Sequence, residues 1–154
     1  MLKDIDALLA EHSFFKDFPW SYRELLAGCG RNVQVHPGLL AKAGDPANQF
    51  FAIRRGRVSI ELHSPERGPL IVYTAESGDV VGWSWLFPPY RWKFDVRAME
   101  QVHAISFDGE CLRGKCERDP AMGFEFMKRF AHVFMERLEG TRLQVLDVYG
   151  SPTK

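Results

Sequence analysis

The chain is 154 residues long and carries 20 basic against 20 acidic side chains, and this zero formal net charge argues against a general nucleic-acid binder. At 45% hydrophobic and 26% charged it has the composition of a soluble globular protein whose core needs no disulfide staples. Cys29, Cys111 and Cys116 are odd in number and far apart, which reads as free cytosolic thiols and not as a disulfide framework.

Residues 1–31 read as a helical lead-in. Acidic residues interrupt Met1-Leu2-Lys3-Asp4-Ile5-Asp6, so no secretory signal is expected there, and no apolar run in the chain is long enough to cross a bilayer. A soluble, cytoplasmic protein is the expectation. Leu2, Ile5, Leu8 and Leu9 carry helical spacing, as do Leu25, Leu26 and Cys29. Ser21 with Glu24 has the pattern of a capping box for the second segment.

Residues 32–107 change to short strands with frequent turn signals. Val33 to His36 alternates, Pro37-Gly38 and Gly44-Asp45-Pro46 turn, and Phe50 to Ile53 is an apolar run. Arg54-Arg55-Gly56-Arg57 reads as an exposed hairpin turn needing positive φ at Gly56. Val58 to Leu62 alternates, Ser64 to Gly68 turns, Leu70 to Tyr73 returns, and Val102 to Phe107 is the last strand. Many closely spaced strands suggest a closed β-barrel or jelly roll.

Within this region, Gly78 to Ala98 concentrates the chemistry. Gly78-Asp79 turns, Val80-Val81 is a short strand, and Gly82 precedes Trp83, Ser84, Trp85, Leu86 and Phe87. Pro88-Pro89 stops this run before Tyr90, Arg91, Trp92 and Lys93. Two readings are open. Backbone N–H groups of Gly82 to Ser84 at the start of a short helix, with Arg91 or Lys93, could form a pocket for an anion. Alternatively the tryptophans fill a core and the cations are solvated.

Residues 108–149 return to helical period, with Asp119-Pro120 as a helix start. Met127, Phe134, Thr141 and Val148 recur every seven residues, as do Ala131, Leu138 and Val145, an a/d seam flanked by Glu136, Arg137, Glu139 and Arg142. Such a seam predicts a homodimer through the C-terminal helix, because a monomer would leave it exposed from Leu138 onward.

These features together resemble the cyclic-nucleotide-binding domain family, above all the sensor half of catabolite-activator and fumarate-nitrate-regulator transcription factors. Gly44-Asp45-Pro46-Ala47 through Gly56 is similar to the family's first glycine motif, Gly78-Asp79-Val80-Val81-Gly82 to its second, and Val96-Arg97-Ala98 to its Val-x-Ala strand. Arg137-Leu138 falls in register with the long helix. The resemblance covers essentially the whole chain. It implies one domain over 1–154, mainly β with flanking helices: a double-stranded β-helix (jelly roll) with N-terminal helices and a long C-terminal helix.

The resemblance also implies a ligand site at Gly82, Trp83, Ser84, Arg91, Trp92, Lys93 and Thr141, with cyclic AMP or cyclic GMP as the ligand to consider. Nucleotide-binding members place a glutamate where this chain has Trp83, which has a donor and no acceptor and could instead stack on a sugar or base. They place Arg-Ser/Thr-Ala where this chain has Trp92-Lys93-Phe94, with Arg91 one position early. Thr141 is either a contact to the base or a tolerated polar seam residue.

Function is therefore read as a stand-alone ligand-sensing module that signals through its C-terminal helix to an unknown protein partner. The alternative is a degenerate member that binds no nucleotide and serves dimerisation or protein interaction. DNA binding is not expected, since only Gly150 to Lys154 follow Tyr149. The jelly roll is shared with cupin enzymes, but His36, His63, His103 and His132 stand singly, so no metal site is expected. The three cysteines are too few for an iron–sulfur cluster, nothing selects a haem, and Ser84 lacks the surroundings of a nucleophile. No catalytic residue is assigned.

Overall fold

The computed structural model describes residues 4–149, with side chains through residue 140. Among the described residues, helices α1 (Ile5–Glu11) and α2 (Trp20–Ala27) lead into eight antiparallel strands. The strands are β1 (Gly30–Val35), β2 (Gly38–Ala41), β3 (Gln49–Arg55), β4 (Val58–Ser64), β5 (Gly68–Ala75), β6 (Val80–Val81), β7 (Asp95–Ala98) and β8 (Val102–Asp108). A 3-10 helix (Ser84–Leu86) lies between β6 and β7, and α3 (Gly109–Arg118) and α4 (Pro120–Tyr149) close the fold. One sheet runs β1-β8-β3-β6 and the other β2-β7-β4-β5, the two walls of a jelly roll.

The apolar run at Phe50–Ile53 is explained by burial on both faces of β3. Phe50 and Ala52 face the helices, where Phe15, Phe107, Phe126, Phe130 and Trp85 gather. Phe51 and Ile53 face the roll interior with Ile60, Trp92, Val96 and Val102. β8 divides in the same way, with Ile105 and Phe107 toward the helices and Val102 and Ala104 inward. The outer cluster is aromatic: the Phe50 and Phe107 rings stack at 4.9 Å and those of Phe126 and Phe130 at 5.1 Å.

Gly56 has φ +95°, as its turn requires, and a Cβ there would come within 2.6 Å of the Gln101 carbonyl. The turn does not close a hairpin, however. β3 and β4 lie in different sheets, so the chain crosses from one wall to the other at Gly56. The β4–β5 pair, joined through Ser64–Gly68, is the hairpin.

Helix starts follow local chemistry. Asp4 accepts from the Ala7 amide at 2.9 Å, Asp108 from Glu110 at 3.1 Å and Asp119 from Met122 at 3.1 Å. The expected Ser21 cap is not used: α2 begins at Trp20, behind Pro19, and Ser21 lies inside it. On α4, Met122, Phe126 and Phe130 are buried against the roll, while Ala131 and Leu138 of the expected seam are exposed and Met127 and Phe134 half-buried. The side chains of Thr141, Val145 and Val148 lie outside the described residues.

The cysteines correct the sequence reading. Cys29 and Cys111 form a disulfide with Cα atoms 5.7 Å apart, joining the end of the α2 segment to α3. Their sequence separation of 82 hides the pairing until the roll folds and returns β8 beside β1. Cys116 is a free, half-buried thiol whose pKa is raised by burial and by Asp119 and Glu117.

His12, unnoticed in sequence, is buried beneath the roll. Its Nδ1 accepts from the Phe14 amide at 3.2 Å, which leaves Nε2–H to donate to the Ile53 carbonyl at 2.9 Å. Burial lowers its pKa, opposed by the Ile53 and Asp79 backbone and the Asp79 charge and aided by Arg54. A cation would need a proton on Nδ1, facing the Phe14 N–H.

Two outcomes follow from these contacts. Reduction of Cys29–Cys111 is expected to cost about 2–4 kcal/mol and lower the melting temperature by roughly 5–15 °C, measured by calorimetry with and without reductant. Cys111→Ser should reproduce the loss and abolish the reductant effect. For His12 the unfolded state takes up a proton at higher pH than the folded state does. Stability is therefore fully present above the ordinary histidine pKa of about 6.5 and falls as pH drops below it, by at most about 1.4 kcal/mol per unit. Denaturant midpoints between pH 7.5 and 5.5 (roughly the window in which histidine titrates) should show this slope, and His12→Gln should flatten it.

Candidate functional site

Asp79 and Gly82 bracket β6 and fix the start of the site. Val80 packs toward the helices and Val81 into the roll. Gly82, at φ +101°, then turns the chain into the 3-10 helix. A side chain at Gly82 would have no room, since a Cβ would sit 2.8 Å from the far edge of the Trp92 ring and 3.2 Å from the Gln49 carbonyl.

Trp92 explains that crowding. Its backbone is pinned to the first glycine motif, with its amide donating to Asp45 at 2.9 Å and its carbonyl accepting from Gly44 at 2.8 Å. Its ring is driven into the roll interior and is 8% exposed. The inner space bordered by Gly82, Trp83, Ser84, Trp92 and Lys93 has only about 20 Å³ left. That is room for about one water molecule.

Outside this filled space, a second opening lies between the 3-10 helix, the Pro88-Pro89 turn and α4, with a volume of about 470 Å³. Trp83, Ser84, Arg91 and Lys93 border it from the roll side, and Phe134, Arg137 and Leu138 from α4. Trp83 meets Phe134 edge to face at 5.3 Å. Arg91 sits at the rim, donating from Nη1 to the Gly44 carbonyl at 2.9 Å.

Of the expected site residues, Gly82, Trp83, Ser84, Trp92 and Lys93 converge on the inner space, and Trp83, Ser84, Arg91 and Lys93 on the outer cleft. The Thr141 side chain lies outside the described residues. Of the tryptophans, Trp85 and Trp92 are core residues and Trp83 is half-buried.

Arg137, a flank of the expected seam by its spacing, is turned toward the roll. It lies over the Tyr73 ring at 4.4 Å and beside Trp83 at 5.3 Å, and donates to the Val80 carbonyl. Burial lowers its pKa, opposed chiefly by Tyr73 and Asp79. Burial and the Asp79 charge raise Tyr73 in turn, and its hydroxyl donates to Asp79 Oδ2 at 3.3 Å. The signal was in the period: Arg137 falls seven residues after Phe130 and four after Val133, on the inward stripe of α4.

A profile of the family described as the cyclic nucleotide-binding domain matches residues 38–119, more than half of the chain. The chain belongs to this family. Cyclic nucleotide-binding domains are regulatory rather than catalytic modules. A candidate cyclic nucleotide-binding protein from Geobacter metallireducens shares the fold, with a TM-score of 0.77 and 22% identity over 90% of this chain and 99% of that one. A cyclic nucleotide-binding domain from Methylobacillus flagellatus has a TM-score of 0.78 and 15% identity, covering 98% and 84%. The regulatory domain of Toxoplasma gondii PKA, solved with cAMP, has a TM-score of 0.66 and 15% identity, covering 83% and 48%. No curated protein sequence matches the chain.

The inner pocket of this cyclic nucleotide-binding domain does not fit a nucleotide while Trp92 occupies it, and Trp83 offers a ribose no acceptor. Arg137→Ala is expected to cost about 2–4 kcal/mol, through the lost cation–π contacts and the orphaned Val80 carbonyl. Arg137→Lys should recover only part of this, because an ammonium lacks the planar face that lies over Tyr73. Urea denaturation of the three proteins measures both differences.

Proposed function

We propose that this domain is a ligand-sensing module and not an enzyme. A small anionic ligand binds among Gly82, Trp83, Ser84, Arg91, Trp92 and Lys93, with Thr141 as a further candidate contact, and alters the packing of α4. The observation that carries this reading is Arg137, which ties α4 to the carbonyl of Val80, two residues before Gly82. A ligand that moves the Gly82 turn changes the seat of Arg137, and α4 carries the change to a second copy and to a protein partner in the cytoplasm.

Cyclic AMP and cyclic GMP are the first ligands to test, and either would have to displace Trp92 from the roll. The filled inner pocket supports a second reading, in which the domain binds no nucleotide and serves dimerisation. Both readings use α4. Its exposed face carries Phe124, Met135 and Leu138, and Ala131 lies between them. Pairing with a second copy would bury this apolar stripe, at roughly 1.5–3 kcal/mol for each large side chain.

Calorimetry is expected to show cyclic nucleotides binding Trp92→Ala at least about tenfold more tightly than wild type, as the ring no longer competes. Neither binding nor a shift in melting temperature or oligomeric state with nucleotides and organic carboxylates would sink the sensing reading and leave the second. Ala131→Glu should convert a dimer into a folded monomer, read by light scattering with unchanged circular dichroism. A wild-type monomer at micromolar concentration would rule out pairing through α4.

A further inference from the structure

The roll's inner pocket and the outer cleft share Trp83, Ser84 and Lys93 but differ in chemistry. The inner space is closed by Trp92. The outer cleft, at about 470 Å³, falls in the range of small-molecule sites. Its walls are aromatic and aliphatic, with Trp83, Phe87, Phe134 and Leu138 contributing apolar faces. Leu138 is 69% exposed at its mouth.

Among the described residues, its charges are of one sign: Arg91, Lys93 and Arg137 border the cleft, and no described acidic side chain does. Arg91 is held at the rim by the Gly44 carbonyl, and Arg137 is engaged with the roll. Lys93 is exposed and makes no hydrogen bond or ion pair among the described residues. Among the described residues of the wall, Ser84 is the sole neutral hydroxyl side chain, and none of them offers a ribose a carboxylate to accept from its hydroxyl groups.

Building on the ligand-sensing reading above, we infer that the outer cleft is the ligand site of this protein, and that its ligand is a flat aromatic carboxylate of one or two rings. The ring system lies against Trp83, Phe87 and Phe134, and the carboxylate meets Lys93 and Arg91. Aromatic faces supply most of the contact, and the cations select the anion over its neutral counterpart. Because Phe134 and Arg137 belong to α4, the ligand bridges the roll and the helix directly, without displacing Trp92.

The probe is 2-naphthoate, with 2-naphthalenemethanol as its neutral counterpart, titrated into the full chain by calorimetry. Naphthoate is expected to bind at least tenfold more tightly than the alcohol, and Lys93→Gln to weaken naphthoate at least tenfold while leaving the alcohol unchanged. No binding up to millimolar concentration, equal affinity for the alcohol, or indifference to Lys93→Gln overturns the inference. So does binding that appears only on dilution to a monomer, since a second copy would then be the occupant of the cleft. Cyclic nucleotide binding without naphthoate binding defeats this inference and leaves the sensing reading standing. Naphthoate binding that leaves the hydrogen exchange of α4 unchanged upholds the site and defeats the signalling reading instead.

Discussion

The fold depends on two strands that serve two cores at once. β3 and β8 present Phe50, Ala52, Ile105 and Phe107 to the helices and Phe51, Ile53, Val102 and Ala104 to the roll interior. An antiparallel sheet usually has a wet face, and here the central pair of one sheet has none. The aromatic cluster around Phe14, Phe15, Phe126 and Phe130 can dock only on this shared wall, and the site hangs from its edge through β6. Displacement of β6 is felt by both cores, because Val80 belongs to one and Val81 to the other.

This arrangement sets the energetics of any occupant of the inner pocket. Removing a buried tryptophan side chain typically costs about 3–5 kcal/mol, so a ligand that must expel the Trp92 ring forfeits part of its binding energy. Each 1.4 kcal/mol spent on such a rearrangement lowers apparent affinity about tenfold, so even partial exposure of Trp92 weakens a ligand by orders of magnitude. A ligand in the outer cleft avoids that cost. The same chain can thus keep the family's roll and its glycine turns while its specificity moves to the seam between roll and helix.

Much of the fold was legible in the sequence because its signals are local. Glycine turns at Gly56, Gly78 and Gly82, alternation at Val58 to Leu62, and Asp119-Pro120 each state a backbone requirement that the structure meets. What was not legible depends on distance. The Gly56 turn reads as a hairpin because nothing local tells a chain to change sheets. Cys29 and Cys111 look unrelated until β8 returns beside β1. Arg137 looks like one more flank of the seam until Tyr73 and Trp83 supply the rings beneath it, and His12 has no motif at all around it. In the site, residue types were readable and their directions were not: Trp92 carries the same aromatic signal whether it lines a pocket or fills one.

Every strand among the described residues lies between Cys29 and Cys111, so the disulfide closes the roll into a covalent ring. The N-terminal helices leave that ring at one sulfur, and the segment leading into α4 leaves it at the other. A mechanical load applied across the two tails is therefore carried by the S–S bond and bypasses the strands. In the oxidised protein the roll is shielded from tension that would otherwise peel β1 from β8, and in the reduced protein that same pair of strands becomes the first to bear it.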